Sequence, residues 1–330
     1  MGGAGSKPKR HHQVSRFYLE KFAGNDPTGH VWTYDMETGG IWHAAADNTA
    51  VETHLYSVTL DDGTRATEIE EFLAKVEGKA AGPFEKVLRG ENVEGQERAD
   101  LASFFAMMFV RTNSFRRTYA EAFAGYMNIK LYATAQHDGA FRTAMEEYEA
   151  EHGPLSDKEK EDLRDGMLHP KKFKLAVDRE FTLSALTVHD GLAPILFDMD
   201  WSTLIPPEGR YFISSDNPFT REVPSQHLHP LEGPGFLHKH VEVLFPLSSN
   251  RCLLAHWNKD RQQLLNIPPE LVKLANRTRA VNAERFLFGP VRDSGIAALG
   301  RKYRDVKAGM KIGGFGPEEF SAVEVKKLKP

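Results

Sequence analysis

The sequence of 330 residues is long enough for one large domain or two ordinary ones. With 41% hydrophobic and 27% charged residues it can bury a sizeable core, which excludes a broadly disordered chain. A formal net charge of −4 argues against general polyanion binding. The single cysteine, Cys252, excludes an intramolecular disulfide and fits a reducing, cytoplasmic compartment. Its setting, Arg251-Cys252-Leu253-Leu254, predicts a buried strand position and an unreactive thiol. No apolar run reaches membrane-helix length, and the opening MGGAGSKPKRHH lacks the apolar stretch of a secretory signal. That opening does carry the myristoylation pattern, Gly2 with Ser6, against which stands a chance Gly- and Ser-containing terminus.

In chain order, residues 1–9 read as a disordered leader. The run HHQVSRFYLEKF sets Val14, Phe17, Tyr18 and Phe22 at helical spacing, so a helix is predicted from the histidines to Gly24. Alternation around Gly39-Gly40 predicts a β-hairpin, and Thr67 with Glu70 predicts a capped helix start. Helical periodicity continues to about Thr134 with a break near Gly90 to Gly95. The charged stretch at about 136–172 reads as a solvated helical insertion, followed by a helix from Phe173 to Phe197. Strands are predicted at DWSTLIP, RYFIS, VEVLFPL and RCLLAHW, a last helix at Pro268 to Phe286, and a weak strand at FSAVEVKKL. The predicted fold class is α+β, with a helical middle region packed on an antiparallel sheet built from the N-terminal hairpin and C-terminal strands. It is expected as one domain over 10–290 with a C-terminal extension at 291–330.

Five constellations are candidates for chemistry. His11 and His12, with Arg16 four residues on, would diverge by about 100° on a helix, so one could act as acid or base while the other packs. A solvent-exposed pair beside a basic leader is the bland alternative. Glu70 and Glu77 share a helix face about 10 Å apart, too far to hold one metal from a straight helix, and ordinary amphipathic carboxylates weigh equally. Arg111 lies on the apolar stripe of Phe104, Met108 and Phe115 and needs a carboxylate or phosphate partner, as a structural ion pair or as an anion clamp. Ser215, Asp216 and Asn217 sit at a strand end, where catalytic groups and Asx-turns are both found. His227, His229, His238 and His240 are weak metal candidates in a Pro- and Gly-rich loop. No Walker loop, GxGxxG, GxSxG or HExxH occurs.

The run from His11 to Phe22 resembles the opening signature of a mainly bacterial family, domain of unknown function family 4238, whose members begin His-His, aromatic, Val-Pro, then Phe-Tyr-Leu and a final Phe. Tyr34-Asp35, Glu70 and Glu77, Arg111-Thr112, Ser215-Asp216-Asn217-Pro218 and Pro246-Leu247-Ser248 continue the likeness in order over roughly residues 10 to 285. Ser15 stands where proline is usual, and Asn113-Ser114 where proline tends to follow Arg-Thr, which alters the local backbone expected there. The resemblance places the chain and implies no established activity.

Two functions are therefore expected. The first is a hydrolase of a phosphoester or phosphodiester, nuclease-like, with His11 or His12 as acid or base, Arg16 and Arg111 on the anion with Ser215 and Asn217, and Glu70, Glu77 and Asp216 as carboxylates. A divalent metal is its candidate cofactor, and a phosphorylated small molecule or nucleic acid its candidate partner. The second is a non-catalytic binding or regulatory module in which the same residues form a structural network.

Overall fold

The computed structural model describes residues 10–12, 14–46, 49, 51–53, 58–59, 65–66, 68–170, 175, 177, 179–227, 235–259 and 263–306, with the backbone alone at 10–12, 51–53, 58–59, 65–66, 68, 179–180 and 225. The predicted leader, the Thr67 cap and the strand at FSAVEVKKL lie outside these residues.

The chain opens with a short strand, β1 (Arg10–His12), then helix α1 (Arg16–Leu19), which tightens into a 3-10 turn at Glu20–Phe22. The hairpin follows as β2 (His30–Asp35) and β3 (Ile41–Ala45), paired antiparallel. Asp35 builds its turn: one carboxylate oxygen accepts the N–H groups of Glu37 at 2.9 Å and Thr38 at 3.2 Å, and Gly39 takes a φ of 76° that favours glycine. β4 (Val51–Thr53) pairs antiparallel with β1, and β5 (Val58–Thr59) with β6 (Arg65–Ala66). The helix expected from the histidines therefore starts only at Arg16. Residues 10–12 find their backbone partners in β4 rather than in a helical turn.

The helical middle comprises α2 (Glu68–Leu88), α3 (Gly95–Val110), α4 (Asn113–Gln136), α5 (Asp138–His152), α6 (Asp157–Leu168), α7 (Arg179–Ser184) and α8 (Val188–Asp198). The break between α2 and α3 falls where predicted, at Gly90 with φ 82°. The single helix expected from Phe173 to Phe197 is instead interrupted by a 3-10 turn at Ala185–Thr187. Strands follow as β7 (Asp200–Ile205), β8 (Ser214–Ser215), β9 (Thr220–Glu222), β10 (Glu242–Ser248), β11 (Arg251–His256) and β12 (Leu264–Asn266). Helix α9 (Pro269–Asn282), β13 (Phe286–Gly289) and α10 (Ser294–Tyr303) complete the described chain.

The described residues divide into two compact units: those up to Phe115 together with 184–306, and Arg116 to Leu183. In the first, a four-stranded sheet of order β3-β2-β13-β8 joins the N-terminal hairpin to C-terminal strands. A five-stranded sheet of order β12-β7-β11-β10-β9 is antiparallel except where β12 runs parallel to β7. The fold is α+β, as the alternation of helical and strand periodicity predicts. Ile296 and Ala297 of α10 are buried in one core cluster with Tyr34, Met36 and Leu287, so residues expected as an extension belong to the core. A row of rings links the helices to the larger sheet: Phe17 on Phe84 (5.2 Å), Phe84 on Phe104 (5.8 Å), Phe105 on Phe245 (5.1 Å) and Phe245 on Tyr18 (5.0 Å).

In the second unit, α6 begins with a capping box in which Ser156 accepts the Glu159 N–H and the Glu159 carboxylate accepts the Ser156 N–H. Arg164 donates to the Ala135 carbonyl at 2.9 Å and pairs with Asp138, and Phe181 lies on Tyr119 and Phe123. The charged stretch at 136–172 falls within this unit, which begins earlier, at Arg116. Among the described residues no helix is long and apolar enough to cross a membrane.

Ser15 offers a test of the backbone at the start of α1. Its φ of −53° and ψ of 132° lie in the region proline occupies, and its buried hydroxyl has no hydrogen-bond partner among the described residues. Ser15→Pro is expected to stabilise the protein by about 0.4–1 kcal/mol by restricting the unfolded chain. Denaturant titration checks this; a lower midpoint would show that the ring does not fit.

Candidate functional site

Arg111 and Glu77 form the centre of the site. Arg111 caps the C-terminus of α3, where the helix dipole favours a cation. Its side chain is 3% exposed, and Nη1 donates to Glu77 Oε1 at 2.8 Å. Glu77 comes from α2, which packs on α3, and keeps 26% of its side chain exposed. The carboxylate partner expected for Arg111 is therefore present, and the pair is open to solvent on its acidic side. Glu70 lies two turns earlier on α2 and is partly exposed.

The histidines are on β1, in register with β4 as His11↔Glu52 and His12↔Val51. The backbone there is a strand, so the helical divergence of about 100° expected of the pair does not apply. The predicted face shared by His12 and Arg16 does not form either. Arg16 lies beyond the strand, in the first turn of α1, and bonds Glu20 one helical turn on at 2.9 Å.

Ser215, Asp216 and Asn217 are brought together, and their bonds go to the backbone. Buried Asp216 accepts three main-chain N–H groups at the end of α9: Glu284 at 2.9 Å, Arg285 at 2.8 Å and Phe286 at 2.9 Å. Burial pushes its carboxyl up to about 6, against these three donors, which favour the charged form. The Ser215 hydroxyl donates to the Asn217 carbonyl at 2.7 Å, and Asn217 Nδ2 donates to the Asn282 carbonyl at 3.0 Å. Beside them Ser214 Oγ lies 2.7 Å from the hydroxyl of Tyr18, whose buried phenol is pushed up by desolvation. Buried Arg279 donates to the Pro218 and Leu244 carbonyls. The motifs at Tyr18, Ser215–Pro218 and the strand holding Leu244 thus meet around one polar knot in the core. Cys252 is buried in β11 as predicted, and desolvation raises its thiol to about 12.

Of the four loop histidines, His229 lies outside the described residues. The His227 and His240 rings stack at 3.7 Å, His238 lies 5.8 Å from His240, and His238 Nδ1 accepts the His240 N–H at 3.1 Å. Burial first, then the neighbouring His227, Lys239 and His238, hold the His240 imidazole below its usual range. Among the described residues no group of three or more His, Cys, Asp or Glu side chains is arranged to hold a metal ion.

Sequence reasoning missed three features. His189 Nε2 lies 2.9 Å from Ser103 Oγ and Nδ1 lies 3.0 Å from Asp190 Oδ1, a triad-like spacing. Ser103, however, is mid-helix in α3, where neighbouring N–H groups serve the helix and supply no oxyanion hole, so the contact joins α8 to α3. A cleft of about 350 Å³ is lined by Glu91, Arg98, Asp200, Trp201 and Lys259, with the Arg98 guanidinium 4.0 Å from the Trp201 ring. Arg221, on β9, lies against the rings of Phe109 and Phe236, which pack edge-to-face on each other at 5.1 Å. Ser103 and His189 are 86 residues apart and Arg98 and Trp201 are 103 apart, so no local spacing signals either pair.

Over residues 10–293 the chain matches the family described as "Protein of unknown function (DUF4238)". No curated protein and no solved structure is a match.

Proposed function

The chain belongs to this family of unknown function, and from that premise we propose that it hydrolyses a phosphoester or phosphodiester at the Arg111–Glu77 pair. The observation that carries the reading is a buried cation paired with a half-open carboxylate, with Glu70 on the same helix. What supports a role for the histidines is that Phe17, five residues after His12, packs on Phe104, seven residues before Arg111 on the same helix. Glu77 or one histidine takes a proton from the attacking water, and a new P–O bond forms as the leaving oxygen departs. The histidine that is the acid returns a proton to that oxygen. Arg111 holds the Glu77 carboxylate in place and offsets the charge that builds on the phosphoryl oxygens. On this reading Asp216, Ser215 and Asn217 hold the framework behind the site. The ligand is a phosphorylated small molecule or a nucleic acid, and the buried, unpaired Cys252 accords with a cytoplasmic setting.

One observation favours the alternative, a non-catalytic binding or regulatory module: the Asp216 carboxylate, the Ser215 hydroxyl and the Asn217 amide are engaged by the chain's own backbone. His11→Ala and His12→Ala, assayed on a panel of phosphoesters with and without divalent cations and checked by circular dichroism, separate the two. One variant is expected to lose turnover and the other to lose binding or folding. Full activity in both folded variants removes the histidines from the mechanism. A parent that turns over nothing puts the module reading first.

A further inference from the structure

We propose that Arg221, packed against the edge-to-face pair of rings of Phe109 and Phe236, is a binding residue for a phosphoryl oxyanion. Arg221 sits on β9, the edge strand of the five-stranded sheet, opposite Val243 of β10. Its guanidinium lies 5.0 Å from the Phe109 ring centre and 4.8 Å from that of Phe236. The rings fix the orientation of a long side chain, so little rotamer freedom remains to be lost on binding. They satisfy none of its N–H groups. A guanidinium carries five such donors in a planar fork, and among the described residues none has an acceptor and no carboxylate pairs with the charge.

That state contrasts with the other fixed arginines of the same unit. Arg98 donates to the Phe197 and Met199 carbonyls, Arg111 to Glu77, Arg279 to Pro218 and Leu244, and Arg285 to Asp35. Burial alone acts on Arg221, drawing its guanidinium down to about 10 with no anion to offset the cost. The side chain nonetheless keeps some exposure, so a solute reaches it. A cation oriented by aromatic rings, partly desolvated, with an unused bidentate fork, is complementary to two oxygens of one oxyanion. The choice of phosphoryl over other oxyanions rests on the phosphoester reading above.

The test reads binding, not turnover, so the two proposals fail separately. Thermal melting of the full chain is followed with inorganic phosphate, and with acetate and chloride at matched ionic strength. Parent protein is compared with Arg221→Gln, Arg221→Lys and a charge control, Arg301→Gln, at an exposed position on α10. Phosphate is expected to raise the parent's melting temperature above acetate and chloride. Arg221→Gln should weaken phosphate binding by about tenfold or more, Arg221→Lys should restore only part of it because an ammonium lacks the fork, and Arg301→Gln should bind as the parent does. If Arg221→Gln does not fold, Arg221→Lys carries the comparison with Arg301→Gln. Equal shifts in phosphate, acetate and chloride, a stronger response to acetate than to phosphate, or an undiminished phosphate response in the position-221 variants overturns the proposal. A parent that binds phosphate through Arg221 but turns over no phosphoester leaves this site standing and removes only the hydrolase.

Discussion

Asp216→Ala is expected to lose about 3 kcal/mol of stability, among the larger effects of any single change in the chain. Its carboxylate accepts the N–H groups of Glu284, Arg285 and Phe286, and truncation leaves three buried or half-buried donors without acceptors. Each is worth roughly 1.5–3 kcal/mol to a charged acceptor, and relief of a desolvated carboxylate offsets part of the sum. Asp216→Asn keeps one acceptor oxygen and turns an NH2 toward the donors, so it falls between. The pH dependence has a definite sign. The folded carboxyl is raised from 3.8 to about 6, so the native state binds more protons than the unfolded one across that window. Its contribution to stability is therefore full below the window and lost as pH rises through it. Urea titrations from pH 4 to 7 should show the deficit of Asp216→Asn shrinking as pH rises. The opposite trend would mean that the three N–H donors outweigh burial. Normal stability with lost turnover would move Asp216 from framework to catalysis.

The knot around Asp216 also shows why some of the fold was legible and some was not. The hairpin, the Gly90 break and strands β7, β10 and β11 follow local periodicity, which a single sequence displays. RYFIS has the same apolar character, yet only its last residue, Ser214, is strand, in β8. The Asn276 side chain accepts the Ile213 N–H and donates to the Tyr211 carbonyl, and Phe212 donates to Ser249, so backbone groups that a strand partner would take are taken by distant residues. Helix α10 is hidden in the sequence because its glycines have the character of helix breakers. Gly300 is instead a packing surface, since a Cβ there would meet Met36 at 3.3 Å, and Asp293 caps the helix by accepting the Gly295 N–H at 2.6 Å. The helical spacing of Phe17, Tyr18 and Phe22 extends a helical expectation back to the histidines. The partner that makes residues 10–12 a strand lies about 40 residues away in β4. In the site, the need of Arg111 for a carboxylate was legible from its apolar stripe, whereas Arg221 takes its meaning from Phe109 and Phe236, which sequence does not bring near it.

Glu77→Ala is expected to destabilise the protein more than Arg111→Met does. Arg111 is 3% exposed, so losing Glu77 leaves a buried cation short of its carboxylate, at a cost of roughly 2–3 kcal/mol after allowing for the 26% of Glu77 that water already reaches. Arg111→Met removes the buried charge with the demand it creates and fills the same stripe with an apolar chain. The freed Glu77 turns to solvent, and the net change stays within about 1 kcal/mol. The double variant should then resemble Arg111→Met, so the second substitution rescues the first, and a thermodynamic cycle from denaturant midpoints measures the coupling directly. Activity divides differently. If the pair is the reacting centre, Arg111→Met, Glu77→Ala and the double variant all lose turnover, and the rescue of stability brings no rescue of rate. Were Arg111→Met to keep both fold and turnover, the pair would be a strut between α2 and α3, and the hydrolase would lose its centre. Were it to unfold while Glu77→Ala stood firm, Arg111 would be held chiefly by partners other than Glu77, and the electrostatic account of the site would move to those partners.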